Sequence, residues 1–392
     1  MAAETEQTRE RRRRPRPTPI DPQILAAMWA LSLVLVCAAT ASYTAWRLAK
    51  YPATPDYRMT LDPHTTPPEG YDWTRLSEPA FPLPPYATYL RGVKLVLDPG
   101  HGARKRHDPN SRVGPGGVYE EDVNLRVALL LREFLQAAGA DVKLTRDADV
   151  FLVTKVDEDL RARAQLANTL RADLLLSIHH NATNDPHVNR TEVYYHNDPD
   201  YSPASLDVAR HVATALSEAL HLPDQLPCPL VTDLVQARQS GFLLLREAQV
   251  PAVLVEASYF TQAGEEERLR DPVYNRREAY ALFLGLARWA YAGLPHAALA
   301  TLSVPRGGTA LVTLDDGISG RPRWSGYPLI SAESVVVRFD ERPIWGQVDA
   351  AKRQVTFAVP QDVASGVHTL YVNFANVWGQ HVLRPRLRLE VP

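Results

Sequence analysis

The sequence has little cysteine, and the two cysteines present do not form a recognisable pattern. Cys37 lies in an apolar segment and Cys228 lies far along the chain in a polar one, so we expect no structural disulfide between them. Neither residue belongs to a CxxC pair of the kind that binds structural zinc. The sequence therefore excludes a disulfide-stapled scaffold and a cysteine-ligated metal site.

An excess of charge of either sign is also absent. The 392 residues include 43 Lys and Arg against 45 Asp and Glu, which gives a net charge of -2. No overall positive field points to nucleic acid, and we predict no nucleic-acid partner. With 45% hydrophobic and 22% charged residues, the composition is that of an ordinary globular protein with room for two domains.

One long uncharged run stands near the N-terminus, at residues 24–46. It follows a basic arm, residues 1–23, that contains the run "RERRRRPRP". A bilayer-spanning helix needs about 20 apolar residues, and the arginines favour a cytoplasmic N-terminus with the remainder exported. We predict a single-pass signal anchor, with the domains after it on the exported side of the membrane. A cleavable signal peptide ending at the "ATA" of residues 39–41 is the alternative.

Proline is concentrated in residues 47–91, which have no sustained hydrophobic periodicity. Such a segment is typical of an extended spacer, with a reach on the order of 100 Å if it is mostly polyproline-like. The spacer would hold the domain that follows at a distance from the membrane.

Residues 92–295 alternate between strand-like and helix-like patterns. The strand-like runs are "VKLVL", "DVKLT", "ADLLLSIHH", "TEVYYH" and "PAVLVEA", and apolar residues at helical spacing lie between them, with a closing helix over residues 265–290. This alternation predicts an α/β domain with a mostly parallel sheet and helices on both faces.

Polar residues stand where three of these strands end. His101 follows the first strand, His179 the third, and Glu256 the run "AVLV". Ligands of such sheets bind beyond the carboxyl ends of the strands, and two histidines with a carboxylate suit catalytic zinc. Glu120 and Glu121 both qualify as the carboxylate ligand, which leaves Glu256 free to accept a proton from water.

Spacing alone does not decide the ligand set. A lone histidine at the end of a strand is more often a hydrogen-bonded structural residue than a metal ligand, and a glutamate opening a helix often only complements the helix dipole. Four further histidines compete as ligands: His107, His180, His187 and His196.

Five blocks, in order over about residues 93–291, resemble those of the zinc-dependent N-acetylmuramoyl-L-alanine amidases, a family of bacterial cell-wall amidases and autolysins. The blocks are "LVLDPGHG", "GPGGVYEEDVNL", "VKLTRDAD", "RAQLANTLRADLLLSIHHNA" and "PAVLVEASYF". The resemblance implies a peptidoglycan hydrolase that cleaves the amide between N-acetylmuramic acid and the L-alanine of the stem peptide. It also implies that the predicted anchor lies in the bacterial cytoplasmic membrane, with the catalytic domain in the periplasm or extracytoplasmic space.

The resemblance also assigns roles to individual residues. It implies that His101, Glu120 and His179 bind Zn²⁺, with the register of "EEDVNL" selecting Glu120 over Glu121. It implies that Glu256 takes a proton from the water that zinc activates and passes it to the leaving nitrogen.

The sequence departs from the family pattern in loops near these residues. Ala103 stands where a second glycine is usual, "RKRH" lengthens the loop that follows, and "ASYFTQ" stands after Glu256 where a glycine-rich stretch is usual. These departures affect the expected substrate preference more than the metal chemistry. His180 falls at the family's variable position, and the need for a protein activator stays open.

Residues 301–392 contain the short runs "TALVTL", "SVVVRF", "QVTFAV", "HTLYVNF" and "LRLEV", separated by turn residues. This spacing predicts a small antiparallel sandwich, with an immunoglobulin-like fold as the expectation. No ionisable cluster in this segment resembles a site, so we expect a structural or positioning module.

Two other functions stay open at this stage. One is a non-catalytic or regulatory cell-wall-binding protein on the same scaffold, and the other is a zinc peptidase that cuts within the stem peptide. The presence of His101, Glu120, His179 and Glu256 favours the amidase over the non-catalytic alternative.

Overall fold

The computed structural model describes residues 21–50, 81–102, 112–197, 202–237, 240–319 and 329–392. The chain divides into two compact units, residues 1–60 and residues 61–392. Most of the predicted basic arm, most of the predicted spacer and His107 lie outside the described residues.

The first unit contains one described helix, α1 (Pro22–Lys50), which covers the uncharged run at residues 24–46. Within the described residues, no helix combines the length and apolarity that crossing a bilayer requires. The predicted transmembrane helix is therefore not supported by the described part of the chain.

The second unit begins with a six-stranded sheet in the order β2-β1-β3-β6-β4-β5. Its strands are β1 (Lys94–Pro99), β2 (Asp141–Leu144), β3 (Leu174–Asn181), β4 (Glu192–Tyr195), β5 (Leu230–Thr232) and β6 (Ala252–Tyr259). All neighbouring pairs are parallel except β4 and β6, which pair antiparallel. The sheet is mixed because residues 182–191 between β3 and β4 contain no helix, and a parallel crossover requires a longer connection.

Helices cover both faces of this sheet, as predicted. They are α2 (Glu120–Ala137), α3 (Val156–Leu170), α4 (Pro203–Leu220), α5 (Asp233–Gln236), α6 (Leu243–Glu247), α7 (Ala263–Arg270) and α8 (Pro272–Ala292). On one face α8 packs against α2 and α4, and on the other α3 and α6 share an apolar cluster with β1, β3 and β6.

The single closing helix expected at residues 265–290 is in fact two helices, α7 and α8. The break falls at Asp271, whose side chain accepts a hydrogen bond from the backbone N–H of Val273 at 2.8 Å. Pro272 is the first residue of α8, where its missing N–H costs nothing, whereas inside a continuous helix it would remove a hydrogen bond.

The C-terminal segment forms two four-stranded antiparallel sheets, in the orders β10-β9-β13-β14 and β11-β12-β8-β7. Their strands are β7 (His296–Leu299), β8 (Thr309–Asp315), β9 (Val336–Phe339), β10 (Arg342–Pro343), β11 (Gln347–Asp349), β12 (Gln354–Ala358), β13 (Gly366–Asn373) and β14 (Arg386–Val391). One buried apolar cluster contains residues from both sheets. The predicted antiparallel sheets are confirmed, while the immunoglobulin-like topology stays a prediction.

Polar contacts fix these sheets to the α/β domain. The backbone N–H of His381 donates to the Asp207 carboxylate of α4 at 2.7 Å, and the Asn376 side chain donates to the last carbonyl of α8, Ala292, at 2.9 Å. Arg384 forms an ion pair with Asp173 at 2.8 Å. These partners lie on the elements that carry the central sheet, so the two parts of the second unit form one packed body.

The close packing of α8 on α4 depends on the absence of a side chain at Gly285. A Cβ at this position would lie 2.9 Å from the Val212 Cα. We expect Gly285→Ala to lower the free energy of unfolding by about 1–3 kcal/mol, despite the better helix propensity of alanine. Gly264→Ala in α7, where a Cβ would meet only a flexible glutamine, is the control and should be neutral or stabilising by up to ~1 kcal/mol. Denaturant unfolding of both variants checks this, and equal stabilities would contradict the packing argument.

Candidate metal centre and catalytic cleft

The segment that follows β1 is anchored by a buried aspartate. Asp98 is 1% exposed, and its carboxylate accepts hydrogen bonds from Thr145 at 2.6 Å and Ser177 at 2.7 Å. Arg163 of α3, itself buried, completes the set with an ion pair at 2.9 Å. Burial opposes ionisation of Asp98, but Arg163 and the two hydroxyls outweigh it and lower the pKa of this carboxyl.

Two buried arginines hold the backbone of the next three residues. Arg146 donates to the carbonyls of Pro99 and Gly100 at 2.9 and 2.8 Å. Arg163 donates to the carbonyls of Pro99 and His101 at 2.9 and 2.7 Å. His101 has a left-handed backbone, with φ +59°, which is uncommon for a residue with a side chain. The arginines thus fix the one backbone geometry that turns the His101 ring toward β3.

Three side chains converge where β1, α2 and β3 meet. His101 Nε2 lies 3.2 Å from a Glu120 carboxylate oxygen, His179 Nδ1 lies 3.1 Å from the other, and the two ring nitrogens are 3.1 Å apart. Ligands about 2.0–2.2 Å from a tetrahedral zinc ion lie roughly 3.3–3.5 Å from one another. The spacing of these three donors therefore fits one small tetrahedral cation, and the group can hold a metal ion.

The protonation of this group suits metal binding. Burial lowers the pKa of His101 to about 4, so its imidazole is neutral at neutral pH. Burial opposes ionisation of Glu120, but the adjacent imidazoles and their hydrogen bonds hold its pKa well below the usual range. A neutral imidazole and an ionised carboxylate are the forms that ligate metals.

Glu256 stands directly beside this group. Its neighbour on β3 is His179 and its neighbour on β4 is Glu192. Glu192 is fixed by hydrogen bonds from Asn181 at 3.0 Å and Tyr194 at 2.7 Å. Glu256 Oε2 is buried and has no hydrogen-bond partner among the described residues. Burial, together with the charges of Glu120 and Glu192, raises the pKa of Glu256 well above its ordinary value.

The group opens into a cleft of about 610 Å³. Glu256 and the three converging residues lie at one end, and the remaining wall is largely apolar, including Phe151, Leu160, Phe242 and Leu243. Such a cleft admits an elongated substrate whose reacting bond sits at the polar end.

Arg112 is a cleft residue that the sequence reasoning missed. Its guanidinium lies 2.8 Å from His101 Nδ1 and 3.6 Å from the Glu120 carboxylate, and half of its side chain is exposed. Its only signal in the sequence is its place in the basic loop after His101, a pattern equally typical of a solvated loop.

The structure separates the predicted ligands from their competitors. It brings together His101, Glu120 and His179 but leaves Glu121 out of the group. His180 is buried behind β3 against Glu278 at 3.1 Å. Of the other competing histidines in the described part of the chain, one is exposed on a loop and one pairs with an aspartate: these are His187 and His196.

Comparisons with known proteins agree on one family. Residues 95–288 match the family model described as N-acetylmuramoyl-L-alanine amidase. The amidase LytC of Bacillus subtilis (strain 168) is 31% identical over 195 residues, which cover 50% of this chain and 35% of LytC. The germination-specific N-acetylmuramoyl-L-alanine amidase of the same strain is 28% identical over 214 residues, covering 52% of this chain and 83% of the relative. The solved structure of the amidase AmiC2 of Nostoc punctiforme is 27% identical, with a TM-score of 0.41 over 50% of this chain and 96% of that chain.

Gly100 lets the His179 ring approach the turn after β1, because a Cβ at residue 100 would overlap that ring. We expect Gly100→Ala to displace His179 and weaken zinc binding at least ~10-fold, since ligands must be held close to their working geometry. Zinc titration against a chromophoric chelator measures this. Gly264→Ala, at an exposed position where a Cβ would meet only the Gln262 side chain, should bind zinc as the parent does. Unchanged affinity in Gly100→Ala would refute the assigned contact.

The raised pKa of Glu256 has a consequence for stability. The folded protein favours the neutral carboxyl, whereas the unfolded chain ionises at the ordinary pKa of glutamate. The free energy of unfolding therefore falls as pH rises above that unfolded pKa. In protein freed of metal by a chelator, we expect Glu256→Gln to melt at a higher temperature than the parent. The gap should be small near pH 4 and widen toward pH 8. Thermal melts across this range test the sign, and a gap that narrows with pH contradicts it.

Proposed function

Residues 95–288 belong to the family of N-acetylmuramoyl-L-alanine amidases, and from this premise we propose that the protein hydrolyses the amide between N-acetylmuramic acid and L-alanine in peptidoglycan. The observation that supports this reaction best is the convergence of His101, Glu120 and His179 beside the buried carboxyl of Glu256. The products would be a free stem peptide and an unsubstituted glycan strand.

We assign His101, Glu120 and His179 as the residues that hold a catalytic Zn²⁺ ion. Two imidazoles and one carboxylate are a donor set typical of catalytic zinc, which keeps a further position open for water or substrate. When bound, the ion supplies Lewis-acid polarisation of the amide carbonyl and makes a water molecule acidic near neutral pH.

Glu256 acts as the proton carrier in this proposal. A buried carboxyl flanked by Glu120 and Glu192 has a raised pKa, which makes it a stronger base than an exposed glutamate and also a usable acid. It would take one proton from the attacking water and then deliver that proton to the leaving nitrogen of L-alanine. Glu192, held by Asn181 and Tyr194 next to Glu256, contributes to this raised pKa.

The apolar wall of the cleft fits a substrate that carries methyl groups on both sides of the scissile amide. The lactyl group of N-acetylmuramic acid and the side chain of L-alanine each present one methyl group. Arg112, at the polar end, is placed to contact carboxylate or carbonyl oxygens of the peptide.

Peptidoglycan lies outside the cytoplasmic membrane, so we infer that the catalytic domain acts there. The basic arm and the uncharged run at residues 24–46 support the prediction that the protein is attached to that membrane. The proline-rich residues before the short helix Pro85–Leu90, which packs on α8, would then give the domain its reach toward the wall.

A digest of purified peptidoglycan tests the reaction. The zinc-loaded protein should release stem peptides that begin with L-alanine, identified by mass spectrometry. Glu256→Gln should release them roughly 10²–10⁴-fold more slowly while retaining zinc. Glu267→Gln, at a side chain that is 80% exposed, is the matched control and should match the parent.

The other outcomes distinguish the alternative functions. Fragments cut inside the stem peptide would identify a peptidase, with the metal site right and the scissile bond wrong. Zinc binding without any release would favour a non-catalytic wall-binding protein. Normal hydrolysis by Glu256→Gln would refute the role of Glu256.

A further inference from the structure

Two ionisable side chains lie buried next to the metal group, between β3 and α8. His180 Nε2 is 3.1 Å from a Glu278 carboxylate oxygen, and the side chains are 0% and 1% exposed. His180 follows His179 on β3 but points to the opposite face, as alternation along a strand requires. Glu278 comes from the middle of α8, which covers that face of the sheet.

Asn124 connects this pair to the metal group. Its carbonyl oxygen lies 2.8 Å from His180 Nδ1, and its NH₂ group donates to Glu120 at 3.1 Å and to the Gly100 carbonyl at 3.4 Å. Asn124 is fully buried. The His180 backbone N–H also donates to the same Glu120 oxygen at 3.2 Å. Glu278, His180, Asn124 and Glu120 thus form one continuous chain of hydrogen bonds.

The ends of an asparagine amide are nearly equal in size, so a neighbour must determine which end faces which group. His180 Nδ1 lies 2.8 Å from the Asn124 oxygen, and Glu278 holds that ring from its Nε2 side at 3.1 Å. With the oxygen held on this side, the NH₂ group faces the Glu120 carboxylate. The reverse orientation would place an amide oxygen against the Glu120 carboxylate, where two acceptors repel.

Stability alone does not account for two ionisable side chains buried against each other at this position. Replacing buried polar partners by apolar side chains of similar size is often neutral or stabilising, because the polar groups no longer need to be desolvated. A carboxylate that ligates a metal, by contrast, depends on partners that hold its orientation.

We propose that His180 and Glu278 are positioning residues for the metal ligand Glu120, acting through the amide of Asn124. This inference rests on the metal-holding role of His101, Glu120 and His179 given above, and it goes beyond the proposed reaction by adding a buried support on α8. The pair fixes the direction of the Asn124 amide, and Asn124 fixes the Glu120 oxygen that faces His179.

A mutant cycle read out as zinc affinity tests the proposal. In the full-length protein, His180→Leu with Glu278→Leu should weaken zinc binding about 10–100-fold, the range typical for partners that orient a metal ligand. Asn124→Leu should produce a loss of similar size. Adding Asn124→Leu to the double variant should cause little further loss, because residues of one network are not additive. His187→Leu, at an exposed histidine, should bind zinc normally.

Two further measurements keep the test decisive. Thermal melting of the metal-free variants reports folding, and we expect the double variant to melt close to the parent. If the double variant does not fold, Glu278→Leu alone removes the partner of His180 Nε2 and should still lose zinc affinity several-fold, whereas Glu278→Gln keeps a hydrogen-bonding partner there and should restore most of it. Unchanged zinc affinity in the folded leucine variants, or losses that simply add, would overturn the proposal. Because zinc affinity is read without peptidoglycan, a failure of the proposed reaction would appear separately, as absence of released peptides.

Discussion

The buried ion pair between Asp98 and Arg163 is the interaction on which the catalytic end of the sheet depends. Asp98 fixes the arginine, and the arginine in turn fixes the carbonyls of Pro99 and His101. Without that support the left-handed backbone at His101 would relax, since such a conformation is held only when its surroundings determine it. The direction of the His101 ring, which we assign to metal binding, thus follows from the ion pair between Asp98 and Arg163.

The surroundings of Glu256, by contrast, lower the stability of the fold. Its carboxyl is placed among Glu120 and Glu192 and has an oxygen without a hydrogen-bond partner among the described residues, an arrangement that costs folding free energy. The hydrogen bonds that hold residues 99–101 and the packing of helices on both faces of the sheet offset this cost. Catalytic sites often combine a stable surrounding fold with an acid that is destabilised by its surroundings, because its shifted pKa lets the group exchange protons near neutral pH.

Much of this architecture could be predicted from the sequence, and the failures have physical causes. The alternation of strands and helices gave the α/β domain, and the ordered blocks led to the family that the comparison confirms for residues 95–288. The convergence of His101, Glu120 and His179 followed because parallel strands present their carboxyl ends at one edge. The choice between Glu120 and Glu121 needed the family register, since adjacent residues at a helix start differ only in direction.

Long-range partners were beyond sequence reasoning. Glu278 lies 98 residues from His180, and nothing in either local pattern indicates that they meet. Arg112 was hidden in a basic loop whose composition is equally typical of solvent exposure. The direction of β4 and the break before α8 were missed because they depend on how a connection closes and on one proline, rather than on hydrophobic periodicity.

The attachment of the C-terminal sheets has a consequence for how this chain can be divided. Asp207 and Asp173 of the α/β domain take their partners from the sandwich, at His381 and Arg384, and the end of α8 is capped by Asn376. A cut between the two parts would therefore expose carboxylates and a helix end that the chain has evolved to cover. The C-terminal sheets are therefore a second half of the same folded body, and the α/β domain depends on them to cover these groups.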